Sequence, residues 1–565
     1  MSHIIGIDLG TTNSLVSFWD GEKAVLIPNA HGDYLTPSVI GLDDNGDLLV
    51  GRVAKERLIT HPLKTAALFK RYMGTKKAYS LGGVQTYQPE ELSSFLLRVL
   101  KADAEAFLGA PVTEAVISVP AYFNDKQRKA TQIAGQLAGL KVERLVNEPT
   151  AAALSYGLHV NDPESRFLVF DLGGGTFDVS VLTLFDGIME VNATAGHNTL
   201  GGEDFVDTLV KAFLNAHALT SLDLSEMSRL RQHIEGMKRE LTLQHEATIA
   251  PEFGGVAYPW HLTRDDFESL CAPLIDALRQ PIERALNDAA ITPRDLNCVI
   301  LVGGASRMPV VRSLAARLFG QYPIATLNPD EIVALGAAVQ AGLKARSQGL
   351  AEVVLTDVCP FTLGLETARR LPNGHLESGY YTPIIDRNTV VPVSREKVFS
   401  TCHEGQTNML LQIYQGESRL TRNNVKLGEL EIEFPPTPED EPIVRVRYTY
   451  DINGILEVQA TDLHEGNSKS TIIRNDSCDL SDAEIQARLQ QLAEIKIHPR
   501  ERMESRLLLA RGERLYEQLM GEARERIAHE LQAFEDALET QDSLHIRRVT
   551  KEIQSVFDEM EPHSL

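Results

Sequence analysis

The sequence lacks the two glycine-rich signatures by which many nucleotide-binding proteins are recognised. It contains no G-x-x-x-x-G-K-S/T segment, and no G-x-G-x-x-G follows an apolar strand-like run. It also has few cysteines, and no two of them form a C-x-x-C pair. A disulfide framework or a zinc site is therefore not expected, and a reducing compartment is. The five cysteines are Cys271, Cys298, Cys359, Cys402 and Cys478.

Positive charge is scarce relative to negative charge. The chain has 55 Lys and Arg residues against 78 Asp and Glu residues, which gives a net charge of −23. Because nucleic acids and anionic membranes attract proteins of the opposite sign, neither is expected as a partner. The sequence opens without a basic segment and short apolar run, and it has no apolar run of membrane-spanning length. We therefore expect a cytoplasmic protein.

The length of 565 residues exceeds what one core supports and indicates several domains. Residues 1–350 alternate apolar strand-like runs with amphipathic helical stretches, as layered α/β domains do. Residues 351–360 are interpreted as a linker with an apolar tip. Residues 361–478 alternate apolar and polar side chains with period two, which predicts an antiparallel β-domain. In residues 479–565 glycine is scarce and Leu, Glu, Arg and Gln dominate, which predicts helices.

Local signals mark elements toward the end of the chain. Asn453-Gly454 lies between two alternating runs and predicts a tight hairpin turn. Ser481 and Glu484 have the spacing of a capping box and predict the start of a helix. Pro499 should interrupt that helix, because proline lacks the amide N–H that helices require.

One acidic glycine turn occurs twice in the first 350 residues. The copies read I-I-G-I-D-L-G-T-T-N-S and F-L-V-F-D-L-G-G-G-T-F-D-V-S, with Asp8 and Asp171 in matching places. Each copy predicts a strand, a tight turn and a returning strand. Backbone N–H groups in such turns suit anionic oxygens, and a neighbouring carboxylate can hold hydrated Mg²⁺. A third turn, Gly303-Gly304, follows the predicted strand at 299–302. Two facing turns would clamp a polyphosphate.

Longer motifs carry a specific resemblance. They are I-D-L-G-T-T-N-S, V-P-A-Y-F-N-D, N-E-P-T-A-A-A, F-D-L-G-G-G-T-F-D, L-G-G-E-D-F and N-P-D-E-I-V-A-L-G-A-A-V-Q-A-G. In this order they resemble the DnaK-type, seventy-kilodalton heat-shock chaperone family. The similarity covers the predicted ATPase domain, linker and β-domain, and it weakens in the helical part. The chain is shorter than typical DnaK and resembles the HscC-like bacterial paralogues.

The resemblance implies a multidomain fold. An actin-like α/β ATPase domain with duplicated ribonuclease-H-like halves would span residues 1–350, and the linker would span 351–360. An antiparallel β-sandwich that binds peptides would span 361–478, and a shortened α-helical lid would span 479–565. The short helical part predicts a reduced distal bundle.

The resemblance also assigns catalytic roles. Asp8 and Asp171 would hold Mg²⁺ through water, and Glu148 would orient those waters. Lys70 would offset charge that develops on the transferred phosphoryl group. Thr176 would donate to the phosphates. ATP or ADP, Mg²⁺ and K⁺ are the implied cofactors.

The implied nucleotide site is larger than this catalytic set. Glu235, Lys238 and Arg239 share one helix face by their spacing, and Arg239 with Arg307 would sandwich the adenine. Ala305 replaces a hydroxyl that is common in the family, so one contact to the base is expected to be missing. The full implied set is Gly10, Thr11, Thr12, Asn13, Gly173, Gly174, Gly175, Gly201, Gly202, Glu203, Glu235, Lys238, Arg239, Gly303, Gly304, Ser306, Arg307 and Asp330.

Communication between domains is implied by a further set of positions. Pro120 and Arg128 resemble the family's proline switch and arginine relay. Arg144, Asn147 and Asp357 match positions where a J-domain partner and the linker dock. Thr356 interrupts the apolar linker run, and replacing a buried leucine by threonine should weaken docking by about 1–2 kcal/mol. Looser coupling is therefore predicted.

The implied client is an unfolded or extended polypeptide bound by strand-like hydrogen bonding. Met409 replaces a valine of the central pocket, and methionine is longer and more adaptable. Ala368 and Cys402 fall where an arch would cross the peptide, and Ala368 replaces a methionine, so a thinner arch is expected. The implied groove residues are Leu365, Thr367, Ala368, Phe399, Cys402, Met409, Leu411 and Ile455.

Three functions fit the ATPase motifs: an ATP-driven chaperone, a small-molecule kinase and a filament-forming protein. Only the chaperone explains a linker followed by a β-domain and a helical lid. ATP hydrolysis would then switch affinity for client polypeptides, with a J-domain cochaperone and a nucleotide exchange factor as further partners. A general chaperone and one dedicated to a few clients, such as an iron–sulfur scaffold, both remain open.

Overall fold

The computed structural model describes residues 3–83, 85–157, 164–185, 188–324, 327–345, 350, 354–371, 375–450, 456–473, 500–539 and 543–560. Within these ranges no helix is both long and apolar enough to cross a bilayer. Several sequence-based predictions concern residues outside the ranges: the turn at Asn453-Gly454, the capping box from Ser481 to Glu484, the break at His498-Pro499, and the roles of Ile455 and Cys478.

The first part of the chain forms a six-stranded mixed sheet, two smaller sheets and four helices. Its elements are β1 (His3–Asp8), β2 (Asn13–Trp19), β3 (Ala24–Ile27), β4 (Thr36–Pro37), β5 (Val39–Leu42), β6 (Leu48–Val50), α1 (Arg52–Thr60), β7 (Thr65–Ala67), β8 (Tyr79–Leu81), β9 (Gln85–Tyr87), α2 (Pro89–Leu108), β10 (Val112–Val119), α3 (Asp125–Leu137), β11 (Lys141–Asn147) and α4 (Glu148–Gly157). The main sheet has the order β11-β10-β1-β2-β3, with β4 beside β2. Strands β6, β5 and β7 form a separate small sheet, on which α1 packs.

The second part forms another six-stranded sheet with helices on it. Its elements are β12 (Glu164–Leu172), β13 (Phe177–Phe185), β14 (Ile188–His197), α5 (Gly202–Ala216), α6 (Leu224–Leu243), β15 (Glu246–Ile249), β16 (Glu252–Phe253), β17 (Val256–Ala257), β18 (Trp260–Thr263), α7 (Arg264–Ala277), α8 (Arg279–Asp288), β19 (Cys298–Val302), α9 (Pro309–Phe319), α10 (Ile332–Lys344) and β20 (Val354–Val358). The main sheet begins β19-β12-β13-β14 and continues with β20. As predicted, a strand precedes Gly303-Gly304, and a short 3-10 turn then leads to α9.

The two large sheets follow one plan. In each, an antiparallel hairpin lies at the centre, β1 with β2 and β12 with β13, and a parallel strand lies beside its first member. Helices α4 and α10 pack together where the sheets meet, in a core rich in alanine. The hydroxyl of Ser17 on β2 donates to the Ala334 carbonyl on α10 at 2.6 Å, which ties that helix to the first sheet.

Strand β20 connects the second sheet to a sandwich of two antiparallel sheets. The short strand β23 (Val390–Val391) pairs with β20 and completes the second large sheet. The sandwich strands are β21 (Leu363–Arg370), β22 (Leu376–Ile385), β24 (Val393–Ser400), β25 (Gln406–Gln415), β26 (Val425–Thr437), β27 (Pro442–Tyr450), β28 (Leu456–Asp462) and β29 (Ser468–Ile473). The sheet orders are β22-β21-β25-β26 and β24-β27-β28-β29, and apolar residues of both sheets share one core. Along β27, buried Val444, Val446 and Tyr448 alternate with exposed Arg445 and Arg447, as in a sheet with one buried face.

Three helices end the described chain: α11 (Arg500–Gln518), α12 (Glu522–Glu539) and α13 (Ser543–Met560). They enclose a small core of their own, in which Phe534, Ile553 and Phe557 are fully buried. This core shows that the described end of the chain is a packed three-helix unit. The reduction of the lid relative to the family stays a prediction.

Candidate nucleotide site and its connections

The two acidic hairpin turns face each other across a cleft. A methyl group added at Gly174 would lie 2.6 Å from the Thr12 side chain, and one at Gly175 would lie 2.8 Å from that of Thr11. Only glycine permits so close an approach. Gly303 adopts φ of 79°, and a side chain there would lie 2.9 Å from an Asp171 carboxylate oxygen. The three predicted turns therefore meet at one place.

Lys70 and Glu148 form a buried ion pair beside these turns. The Lys70 ammonium donates to Glu148 Oε1 at 2.6 Å, and the two side chains are 5% and 10% exposed. Glu148 begins α4 directly after β11, where a carboxylate is favourable to the helix dipole. Because a buried pair needs precise geometry, Glu148 fixes where the Lys70 charge lies.

Carboxylates outnumber the lysine in this cleft. Burial and the charge of Glu148 raise the pKa of Asp171 well above its usual value and that of Asp178 to about 8. The same two causes raise the pKa of Asp8, whose Oδ1 accepts from the Ser118 hydroxyl at 2.8 Å. Asp171 and Asp178 lie directly opposite each other on β12 and β13, an arrangement that like charges disfavour.

This excess of buried negative charge fits a bound cation. One carboxylate oxygen each of Asp171 and Asp178 is buried without a hydrogen-bond partner. No group of three or more His, Cys, Asp or Glu side chains in the described ranges is arranged to hold a metal directly. The residues therefore fit Mg²⁺ that keeps its water shell, as this ion prefers.

The predicted adenosine residues lie on two elements. On α6, Glu235 accepts from Arg239 at 2.8 Å and pairs with Lys238 at 2.6 Å. The Arg307 guanidinium, after β19, is held by Asp330 at 2.7 Å and by Asn328 at 2.6 Å. These partners fix the plane of Arg307, as stacking on a flat base would require.

Other predicted residues have mainly structural partners. The Glu203 carboxylate pairs with Arg231 at 2.9 Å, while its amide donates to the Gly174 carbonyl. The Ser306 hydroxyl donates to the Gly303 carbonyl at 2.7 Å and closes that turn. A methyl group added at Gly201 would lie 2.6 Å from the Gly174 backbone, so Gly201 joins the same cluster. Lys238 donates to the Gly202 carbonyl at 3.1 Å.

The structure adds three residues that the sequence prediction missed. Asp178 stands in the motif F-D-L-G-G-G-T-F-D, and its alternation with Asp171 across a short turn was a usable signal. Arg71 spans the cleft to Asp204 at 2.9 Å. Burial and the charge of Arg239, one of the predicted adenosine residues, lower the pKa of Lys55 on α1. No sequence signal marked Arg71 or Lys55.

Comparison with known proteins places this geometry in a family. A model of the Hsp70 protein family matches residues 4–81 and 77–563. Chaperone protein DnaK of Thermotoga neapolitana is 43% identical over 486 residues, which cover 83% of this chain and 80% of that protein. The proteins of the same name from Thermotoga petrophila and Thermotoga maritima are each 40% identical over 583 residues, which cover 100% of this chain and 96% of theirs. The chain belongs to the Hsp70 family.

In this Hsp70 chain the predicted communication residues form a continuous path. Arg128 donates to Asn147 Oδ1 at 2.6 Å, and Asn147 donates to Asp357 Oδ2 at 2.7 Å. Burial raises the pKa of Asp357, while burial lowers that of Arg144, whose charge lies near Asp357. Pro120 ends the run of β10, and its carbonyl accepts from the Phe123 amide at 3.1 Å. The path runs from the catalytic lobe to the linker strand.

Part of the predicted linker forms strand β20. Thr356 on β20 lies opposite Glu190 on β14, and Asp357 lies opposite Val391 on β23. The Thr356 side chain lies outside the described residues, so looser coupling stays a prediction. The sandwich also contacts the ATPase part, because Arg387 binds both oxygens of Asp288 at 2.7 Å.

The predicted groove residues divide by burial. Leu365 and Leu411 are 1% and 4% exposed and belong to the sandwich core. Phe399 and Met409 are partly buried and pack against that core. Ala368 is exposed. The Thr367 hydroxyl lies 2.8 Å from that of Thr382, and the Cys402 amide donates to Gln406. Peptide contact by these residues stays a prediction.

Proposed function

We propose that this chain is an ATP-dependent molecular chaperone that binds and releases unfolded or client polypeptides. It is an ATPase, and hydrolysis is coupled to client binding. The observation that carries the proposal is one connected arrangement. The buried Lys70–Glu148 pair lies beside the glycine turns, and the path from Arg128 through Asn147 to Asp357 leads to the predicted linker, which precedes a β-sandwich. Neither a kinase nor a filament protein needs the last two parts.

The finer architecture belongs to the same proposal. The repeated sheet plan supports an actin-like ATPase domain of two ribonuclease-H-like halves over residues 1–350. A linker over 351–360, a peptide-binding sandwich over 361–478 and a lid over 479–565 complete the chain. The HscC-like assignment stays a prediction, as does a cytoplasmic location.

The residues of the cleft suggest how hydrolysis is promoted. Backbone amides of the turns at residues 10–13 and 173–175, with the hydroxyls of Thr11, Thr12 and Thr176, would cradle the phosphates. Asp8, Asp171 and Asp178 would hold hydrated Mg²⁺, which supplies positive charge to the phosphate oxygens when bound. Lys70 would stabilise charge developing in the transition state. K⁺ is proposed as a second cation, on the same excess of carboxylates.

The docked linker and lid suggest which step of the cycle this structure resembles. With ATP, the linker strand and helical lid would lie on the ATPase domain, and peptide would exchange quickly. With ADP, the domains would separate and the lid would close on peptide. In this arrangement the Asp357 carboxylate is buried and accepts from Asn147. Undocking of the linker would break this hydrogen bond.

The partners follow from the same reading. A J-domain cochaperone would contact the surface around Arg144, Asn147 and Asp357, and an exchange factor would open the nucleotide cleft. The adaptable Met409 and the small Ala368 would shift client choice away from leucine-centred segments. Whether the clients are many or few stays open.

A peptide-stimulated ATPase assay tests the proposal. Wild-type chain should hydrolyse ATP slowly, and an unfolded client segment should raise the rate. A small-molecule kinase would instead need an added acceptor, and a filament protein would sediment after ATP addition. Absence of peptide stimulation together with either of those results would overturn the chaperone assignment.

A further inference from the structure

Helix α1 is a junction at which the lid meets the ATPase part. The lid residue Leu507 on α11 packs against a small core that includes Val53 and Ala54 on α1. Both α1 residues are buried, at 1% and 0% exposure. The contact between α11 and α1 is therefore apolar and closely packed.

Charged residues flank this apolar contact, and each arginine faces a glutamate of the other helix. Each helix carries consecutive Glu and Arg residues, Glu56-Arg57 on α1 and Glu513-Arg514 on α11. Arg514 donates to Glu56 at 2.6 Å, and Arg57 lies 3.9 Å from Glu513. Both arginines are less than a tenth exposed, so each depends on a carboxylate partner.

The same short helix also contacts the second lobe. The Ser225 hydroxyl on α6 donates to the Ile59 carbonyl on α1 at 2.9 Å, which joins the two lobes directly. Helices α1 and α6 also pack against each other, and α6 carries Glu235 and Arg239, two of the predicted adenosine residues. One face of α1 thus contacts the lid, and the adjacent face of α1 contacts the second lobe.

We propose that lid docking on α1 retains the bound nucleotide, by a route that bypasses the linker. The proposal rests on the proposed nucleotide site and adds a regulation of it. With the lid docked, the paired charges and Leu507 hold α1 in the position from which Ile59 contacts α6. When the lid leaves, α1 loses that support and the adenosine end opens more readily.

The physical reason is the small size of α1. Its nine residues span about 13 Å, so the two contact faces cannot move independently. A packed helix has few alternative positions, so support on one side restricts motion on the other. A lid that favours one position of α1 shifts the population of closed clefts, as any ligand of one state does.

The test is the release rate of radioactively labelled ATP from the full chain, chased with unlabelled ATP before hydrolysis. Arg514→Glu should speed release by about fivefold or more, because it places like charges at Glu56. The charge swap Glu56→Arg with Arg514→Glu should return the rate to within about twofold of wild type. Leu507→Ala should speed release without any change in charge.

A matched control carries the same charge change elsewhere on the lid. Arg524 on α12 is exposed and stacks on Tyr516, so Arg524→Glu should leave release unchanged. If ATP binds but all variants release it at the wild-type rate, retention by the lid is wrong while the proposed nucleotide site stands. If Arg514→Glu releases ATP quickly but the charge swap does not restore the wild-type rate, the Arg514–Glu56 ion pair is not what retains the nucleotide. If wild-type chain binds no ATP, the proposed function fails first.

Discussion

Neutralising Asp178 should make the nucleotide-free protein more stable at neutral and alkaline pH. Burial, reinforced by Glu148, raises the pKa of this carboxyl from 3.8 to about 8. Since one pKa unit corresponds to about 1.4 kcal/mol, ionising Asp178 in the folded state costs up to about 6 kcal/mol. In Asp178→Asn that cost disappears, while the amide oxygen can still accept from the Tyr122 amide, now bonded at 3.1 Å.

The sign of the pH effect follows from linkage. Because the folded-state pKa lies above the unfolded value, the folded protein holds more protons, and wild-type stability is lost as pH rises toward about 8. Thermal unfolding in EDTA between pH 6 and pH 9 should show this loss in wild type and a flatter profile in Asp178→Asn. Added Mg²⁺ with ADP should stabilise wild type more than the variant.

A surface carboxylate provides the control for this measurement. Asp20 is exposed, and hydrogen bonds from the Lys23 and Glu22 amides lower its pKa. Asp20→Asn should therefore not change the slope between pH 6 and pH 9. If wild-type stability is flat over that range in EDTA, or if Asp178→Asn is no more stable at pH 9, the reasoning about uncompensated charge is refuted.

Three further predictions concern activity. Lys70→Ala should lower the rate of ATP hydrolysis by about 100-fold or more while nucleotide affinity stays near wild type, because the charge is needed chiefly in the transition state. The control is Lys77→Ala, which removes an ammonium stacked on Tyr72. Loss of nucleotide binding in Lys70→Ala would make Lys70 a ground-state ligand. Arg387→Glu should slow ATP-induced peptide release several-fold by opposing Asp288, and unchanged release would remove this pair from the coupling route. Met409→Val should narrow the peptides bound on an array toward smaller anchors, and an unchanged array would exclude Met409 from the pocket.

Sequence reasoning found the cleft because its signals are local. A strand, a glycine turn and a returning strand are read within about fourteen residues, and the repeat placed Asp8 and Asp171 in equivalent positions. Lys70 and Glu148 could be assigned only through the family motifs, since a lysine and a helix-start glutamate are common on surfaces. Their contact joins residues that lie far apart in the chain.

Asp178 and Lys55 show where such reasoning stopped. Asp178 belongs to the motif F-D-L-G-G-G-T-F-D, but its importance comes from burial opposite Asp171, which depends on the register of the hairpin. Lys55 belongs to a helix whose partners are contributed by α6 and α11, both distant in sequence. Electrostatic environment is a sum over spatial neighbours, and composition carries little of it.

The amino-acid order alone determined the class of this protein: a nucleotide-binding α/β part, a β-sandwich and a helical end follow from local periodicity, turns and motifs. Tertiary structure alone decided how the parts meet. Three contacts join segments that share no local pattern: the pairing of β20 with β14, the Arg387–Asp288 ion pair and the packing of Leu507 on α1. Long-range contacts of this kind depend on complementary shape and charge between two surfaces. Those surfaces form and meet only when the chain has folded.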